Sequence, residues 1–156
     1  MMNLCSNVIK ALEGKTLVTA ESCTGGMIGA ALTAVPGSSA IYKGGVISYT
    51  NGVKHDLLAV PEAYLAQFGA VSAPVAEAMA LGARENLCAD IAVSVTGLAG
   101  PCGDDFGNPV GTVYIGYSDS HHTFSEQHLL AGDRKSIREQ AAQLALALVL
   151  REIQEK

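Results

Sequence analysis

Apolar residues recur at helical spacing from the start of the chain: Leu4, Val8, Ile9, Ala11 and Leu12 predict a helix over residues 3–14, with Gly14 where a helix stop belongs. Thr16 to Ala20 is short and β-branched. It leads through Thr24-Gly25-Gly26 into an Ala, Ile and Leu-rich stretch up to Val35, which reads as strand, tight turn and helix, ended by Pro36-Gly37. Val46 to Tyr49 predicts a second strand, and Asn51-Gly52 a turn before a short helix that carries Lys54. Pro61 opens another helical segment. Ser72 is placed to cap a helix running to about Leu87, with Pro74 in its first turn. Asp90 to Val95 is a continuous apolar run, as a fully buried strand requires, and it delivers the chain into a glycine-rich loop beginning at Thr96. Val110 to Tyr117 and Thr123 to Leu130, separated by Asp119-Ser120-His121-His122, predict a hairpin, which makes the sheet mixed. Asp133 to Ile153 carries Ile137, Ala141, Leu144, Leu148 and Val149 on one stripe, an amphipathic helix for packing on the sheet. The class is α/β.

Composition narrows the function more than the fold. At 156 residues the chain suits one domain, residues 1–156, with 49% apolar and 16% charged residues and a sizeable core. A net charge of −5 with ten Lys and Arg spread along the chain argues against direct nucleic-acid binding. Cys5, Cys23, Cys88 and Cys102 form no C-x-x-C pair and, with no secretory pattern at the N-terminus, read as reduced thiols in a cytoplasmic protein. No run of about 18 apolar residues is present to span a membrane. Abundant small apolar residues on few charges suit a homo-oligomer.

Thr19-Ala-Glu-Ser-Cys-Thr-Gly-Gly lies at a strand-to-helix junction, where backbone amides can hold a phosphate or an oxyanion. By residue type alone, Ser22 at its centre is a helix-capping serine, and Cys23 a competing nucleophile or a small packed hydrophobe. A serine nucleophile needs a base, yet His55, His121, His122 and His128 all stand in polar or turn contexts. Lys54 and Tyr49 are the alternatives, each a usable base if burial lowers its pKa; taken alone, Lys54 reads as a solvated surface lysine. The loop Thr96 to Gly107 matches neither a phosphate loop nor the dinucleotide fingerprint, and Asp104-Asp105 lacks ligand partners, so neither nucleotide cofactor nor metal is expected. Arg134 and Arg138, after the candidate cap Asp133, either reach a phosphate or pair with neighbouring acids.

Taken in order, T-A-E-S-C-T-G-G at 19–26, V-P-G-S-S at 35–39, G-G-V-I-S-Y-T-N at 44–51, Lys54, G-A-V-S at 69–72, A-M-A-L-G-A at 78–83, T-G-L-A-G-P at 96–101, P-V-G-T-V at 109–113 and G-D-R at 132–134 resemble the C-terminal domain of the competence and damage-inducible (CinA) protein family. That domain also occurs alone as nicotinamide mononucleotide deamidase. The resemblance implies a three-layer α/β/α sandwich with a mixed, mostly parallel sheet. It also implies hydrolysis of the carboxamide of nicotinamide mononucleotide to nicotinate mononucleotide and ammonia, in pyridine nucleotide salvage, without a cofactor. Ser22 becomes the nucleophile, with Tyr49 and Lys54 as activating partners. Amides near Ser22 and the Thr96-Gly97 turn are candidates for an oxyanion. Thr24, Gly25, Gly26, Ser38, Ser39, Arg134 and Arg138 are candidates for binding the substrate, chiefly its phosphate. Pro101-Cys102-Gly103-Asp104-Asp105 departs from the family's Gly and Ser-rich stretch, which bears on substrate preference. Longer members carry an N-terminal nucleotide-processing domain, for which 156 residues leave no room. The rivals are a noncatalytic partner module and an amidase for another small nucleotide amide.

Overall fold

A computed structural model describes residues 1–156. Its elements are α1 (Met2–Ala11), β1 (Leu17–Glu21), α2 (Met27–Thr33), a short 3-10 turn (Ser38–Ala40), β2 (Tyr42–Ile47), α3 (Asn51–Leu58), α4 (Glu62–Phe68), α5 (Ala73–Asn86), β3 (Ile91–Gly97), β4 (Thr112–Ser118), β5 (Thr123–Leu129) and α6 (Arg134–Gln154). The strands form one sheet in the order β2-β1-β3-β4-β5. β1 pairs in parallel with β2 and β3, while β4 is antiparallel to both β3 and β5. Four strands therefore run one way and β4 alone against them, the mixed and mostly parallel sheet expected.

Two apolar layers cover the sheet, and strand alternation divides the residues between them. Leu17, Ile91, Val93, Val95 and Ile115 pack with α1, α2 and α6 in the larger core. Val18, Ala20 and Ala92 face the other way, towards Leu58, Leu65, Val75 and Met79 of α3, α4 and α5. Small residues let α5 lie close to the sheet: Ser94 donates its hydroxyl to the Ala76 carbonyl at 2.6 Å, satisfying a buried polar group on both sides. No helix is long and apolar enough to cross a membrane.

The boundaries shift where pairing outweighs local pattern. The second strand begins at Tyr42, four residues before the predicted Val46, because the parallel register with β1 carries it through Lys43-Gly44-Gly45, and Tyr49 falls outside it. Asp133 caps α6 as expected, its carboxylate accepting from the Ser136 amide at 2.8 Å. Ser72 holds the cap position of α5, but its hydroxyl donates to the Gly69 carbonyl at 2.8 Å and caps nothing.

Candidate active site

β1, β2 and β3 all end on one edge of the sheet, the carboxyl edge where α/β folds place their ligands. Two loop-bound amides prolong the ladder there: Ser22 donates to the Val95 carbonyl at 3.0 Å, and Ser48 to the Glu21 carbonyl at 2.7 Å. The chain leaves β1 at Glu21 and reaches α2 through Gly25 and Gly26, whose φ of 59° and 102° are left-handed and unfavourable for side-chain-bearing residues. A helix start leaves amides without partners, the need that a capping serine would meet. Glu21 meets it instead. Its carboxylate, 2% exposed, accepts from Gly26 and Ile28 on one oxygen at 3.2 and 2.9 Å and from Gly29 on the other at 3.1 Å. A buried anion on a helix start is also favoured by the helix dipole.

The Ser22 hydroxyl, released from capping, meets Lys54. The Lys54 Nζ donates to Ser22 Oγ at 3.0 Å and to the Ser48 carbonyl at 2.7 Å. Lys54 sits in the second turn of α3, which Thr50 caps through the Val53 amide, and it is 1% exposed. Burial disfavours the ammonium and brings its pKa from 10.5 down to about 8, with a smaller opposing effect from the neighbouring Cys23. The surface-lysine alternative is thereby excluded. Cys23 lies beside Ser22, but burial raises its thiol to about 11, so it is protonated and weakly nucleophilic near neutral pH. The two expected partners of Ser22 are placed differently: Lys54 bonds to the Ser22 hydroxyl, whereas Tyr49 is 59% exposed and its hydroxyl accepts from Arg134 at 3.1 Å.

Ser22, Tyr49, Lys54, Thr96, Gly97 and Arg134 line one cavity of about 310 Å³. A larger hollow of about 620 Å³ runs along α4 and α5 and contains none of these residues, so volume alone does not locate the chemistry. Arg134 spans the cavity rim, donating to the Gly100 carbonyl at 2.5 Å as well as to Tyr49. The Thr96 hydroxyl is spent on the Ala70 carbonyl at 2.7 Å.

Several candidate binding residues lie elsewhere or are already occupied. The Gly25 amide donates to the Ser22 carbonyl at 3.0 Å and the Gly26 amide to Glu21, so these helix-start donors are not open to a phosphate. Ser38 and Ser39 precede β2, which begins opposite Leu17 at the amino edge of the sheet. Five strand residues at about 3.3 Å each put them roughly 15 Å or more from Ser22. Arg138 braces the nucleophile turn from α6, donating to the Cys23 and Thr24 carbonyls at 2.9 and 3.3 Å. Thr24 is fully buried, its hydroxyl without a partner, and it does not line the cavity. Asp104 is turned into its own loop by the Phe106 and Asn108 amides, and no three His, Cys, Asp or Glu side chains gather as a metal site. Glu21 and Ser48 were missed from sequence. A glutamate closing an otherwise apolar strand is a usable signal for the first, whereas Ser48 acts through a backbone carbonyl that every residue possesses.

The "CinA C-terminal domain" family model matches residues 2–153. A CinA-like protein of Synechococcus sp. (strain CC9311) is 60% identical over 72% of this chain, which covers 27% of that protein. The nicotinamide-nucleotide amidohydrolase PncC of Enterobacter agglomerans is 45% identical over 90% of this chain and 86% of its own length. The chain spans 27% to 34% of the CinA-like relatives it matches, and so corresponds to one part of them. Among solved structures, a CinA superfamily protein of Klebsiella pneumoniae 700603 superposes with a TM-score of 0.96 at 33% identity, covering 99% of this chain and 98% of that one. The competence/damage inducible protein CihA of Agrobacterium tumefaciens does so at 0.92 and 37%, covering 96% and 93%. With its sheet, its Ser22 turn and this match over nearly its whole length, the chain belongs to the CinA C-terminal domain family.

Proposed function

We propose that this protein is an amidohydrolase that cleaves the carboxamide of nicotinamide mononucleotide with Ser22 as nucleophile and Lys54 as base. The observation that carries the proposal is the buried Lys54 Nζ at 3.0 Å from Ser22 Oγ on the wall of a cavity. The likeness to the E. agglomerans amidohydrolase over most of both chains supports the substrate.

Neutral Lys54 has one lone pair and two N–H bonds. With one N–H given to the Ser48 carbonyl, the lone pair is free to face Ser22. Lys54 takes the hydroxyl proton as Ser22 Oγ bonds to the carboxamide carbon, and the carbonyl electrons move to oxygen. The oxyanion is assigned to the Cys23 amide, one residue past the nucleophile; the Ser22 amide is spent on Val95. The Lys54 ammonium then protonates the amide nitrogen, the C–N bond breaks and ammonia leaves. Water, deprotonated by Lys54, hydrolyses the ester, and Ser22 recovers its proton from Lys54 as nicotinate mononucleotide departs. Of the cations expected to hold the phosphate, Arg134 keeps N–H groups beyond those given to Gly100 and Tyr49 and is assigned that role. The four free thiols accord with a reducing, cytoplasmic setting.

The test is ammonia release from nicotinamide mononucleotide by purified protein. Ser22→Ala and Lys54→Ala should each lose at least about 100-fold in turnover, the scale of a lost nucleophile or base, whereas Cys23→Ala retains most of it. Release from other amides only would reassign the substrate, and no release from any amide would leave a noncatalytic module.

A further inference from the structure

Glu21 bonds to the supports of both Ser22 and Lys54 without lining the cavity. Through its side chain it takes the Gly26, Ile28 and Gly29 amides, anchoring the far end of the turn that carries Ser22. Through its main-chain carbonyl it accepts from the Ser48 amide at 2.7 Å and, more weakly, from the Ser48 hydroxyl at 3.4 Å. Ser48 in turn presents its carbonyl to Lys54 at 2.7 Å. One residue thus fixes the far end of the Ser22 turn and the residue that anchors Lys54.

We propose that Glu21 is a positioning residue for the Ser22–Lys54 pair, holding the hydroxyl and the amine in register by occupying the α2 start and fixing Ser48. The inference rests on the serine and lysine roles proposed above, but not on the identity of the amide. Replacing the carboxylate by a carboxamide of equal size removes one of two acceptor oxygens and sets an NH2 against a backbone N–H. The α2 start then regains an unpartnered amide, and the turn that carries Ser22 loses part of the anchor at its far end.

The experiment uses a fluorophosphonate probe, which forms an Oγ–P bond to an activated serine as P–F breaks and fluoride leaves, and so needs no natural substrate. Labelling rates of the intact, folded protein are measured across pH 6 to 10 for wild type, Glu21→Gln and Glu21→Asp, with thermal melts alongside. Wild type should label at Ser22, with a rate that rises through an inflection near pH 8. Glu21→Gln should stay folded, label at least about tenfold more slowly at neutral pH, within the range of a lost general base, and lose the inflection. Glu21→Asp, which keeps the charge but reaches fewer amides, should lie between the two. A loss of stability alone lowers the melting temperature without erasing the inflection. Equal rates and inflections in wild type and Glu21→Gln overturn the inference, as does failure of both Glu21 variants to fold, which would make Glu21 a folding residue. Absence of labelling in wild type would instead refute the serine and lysine roles themselves.

Discussion

Lys54 concentrates the conflict between stability and chemistry in one side chain. The proposed mechanism requires its neutral amine, so kcat/KM is expected to be low below about pH 8 and to climb to a plateau above it, following the Lys54 pKa of about 8. A pH-rate profile of ammonia release checks this, and a profile that is flat from pH 6 to 10 would remove Lys54 as the base. Stability follows the same titration. The folded-state pKa lies below the ordinary 10.5, so the unfolded chain binds more protons between about pH 8 and 10.5, and stability rises with pH across that window. Below about pH 8 the full penalty applies. Lys54→Met, similar in length and without charge, should therefore abolish turnover yet stabilise the fold at pH 7 by roughly 1–2 kcal/mol, the burial penalty less the cost of leaving the Ser48 carbonyl unpaired. Urea melts of both proteins at pH 7 and pH 10 measure it. The gain should shrink at the higher pH, and a less stable variant at pH 7 would mean that the buried ammonium is compensated.

Elements carry these side chains to one another, and their spacing depends on a few close backbone contacts. α3 brings Lys54 to the site, and α5 supports α3 from below through Gly82, where a Cβ would stand 1.8 Å from the Leu58 carbonyl oxygen. In an exposed helix, Gly to Ala gains about 1 kcal/mol. Here the sign reverses. Gly82→Ala must push the end of α3 away from α5, so a loss of at least about 2 kcal/mol is expected, in the range for overpacked cores. Turnover should fall with it as Lys54 moves off Ser22, which denaturation curves and kcat on the same preparation report together. Retained stability would show that α3 shifts freely. Element type was legible from periodicity, because the 2- and 3.6-residue repeats that face a core are local properties: Ile91 to Val95 and the stripe of α6 are examples. The true start of β2 was not, since Lys43-Gly44-Gly45 has no strand signal and is held extended only by β1.

At the scale of the whole molecule, charge and cavity point the same way. Ten basic residues against fifteen acidic ones give a net charge of −5, and the cationic groups near the cavity, Lys54, Arg134 and Arg138, are largely committed to internal hydrogen bonds. A surface of that kind releases few counterions from a duplex, so no retardation of duplex DNA is expected at about 150 mM salt. A gel-shift titration tests it, and saturable binding at that salt would favour the partner-module alternative. The ordered motifs and the apolar periodicity of the sequence were enough to determine the element order, the α/β class, the family and the segment bearing Ser22, because each is written in short stretches of neighbouring residues. The tertiary structure alone decided that Lys54 is a buried lysine against Ser22 and not a solvated one, that Tyr49 pairs with Arg134 at the rim, and that Glu21, not Ser22, caps α2. It also showed the Gly25 and Gly26 amides bonded within the chain and placed Ser38 and Ser39 before β2, at the opposite edge of the sheet. The burial of Lys54 against Ser22 and the bracing of Cys23 by Arg138 join residues 32 and 115 positions apart, which no local pattern encodes, while the Glu21 cap spans only a few residues but competes with Ser22 in a way that residue type alone leaves open.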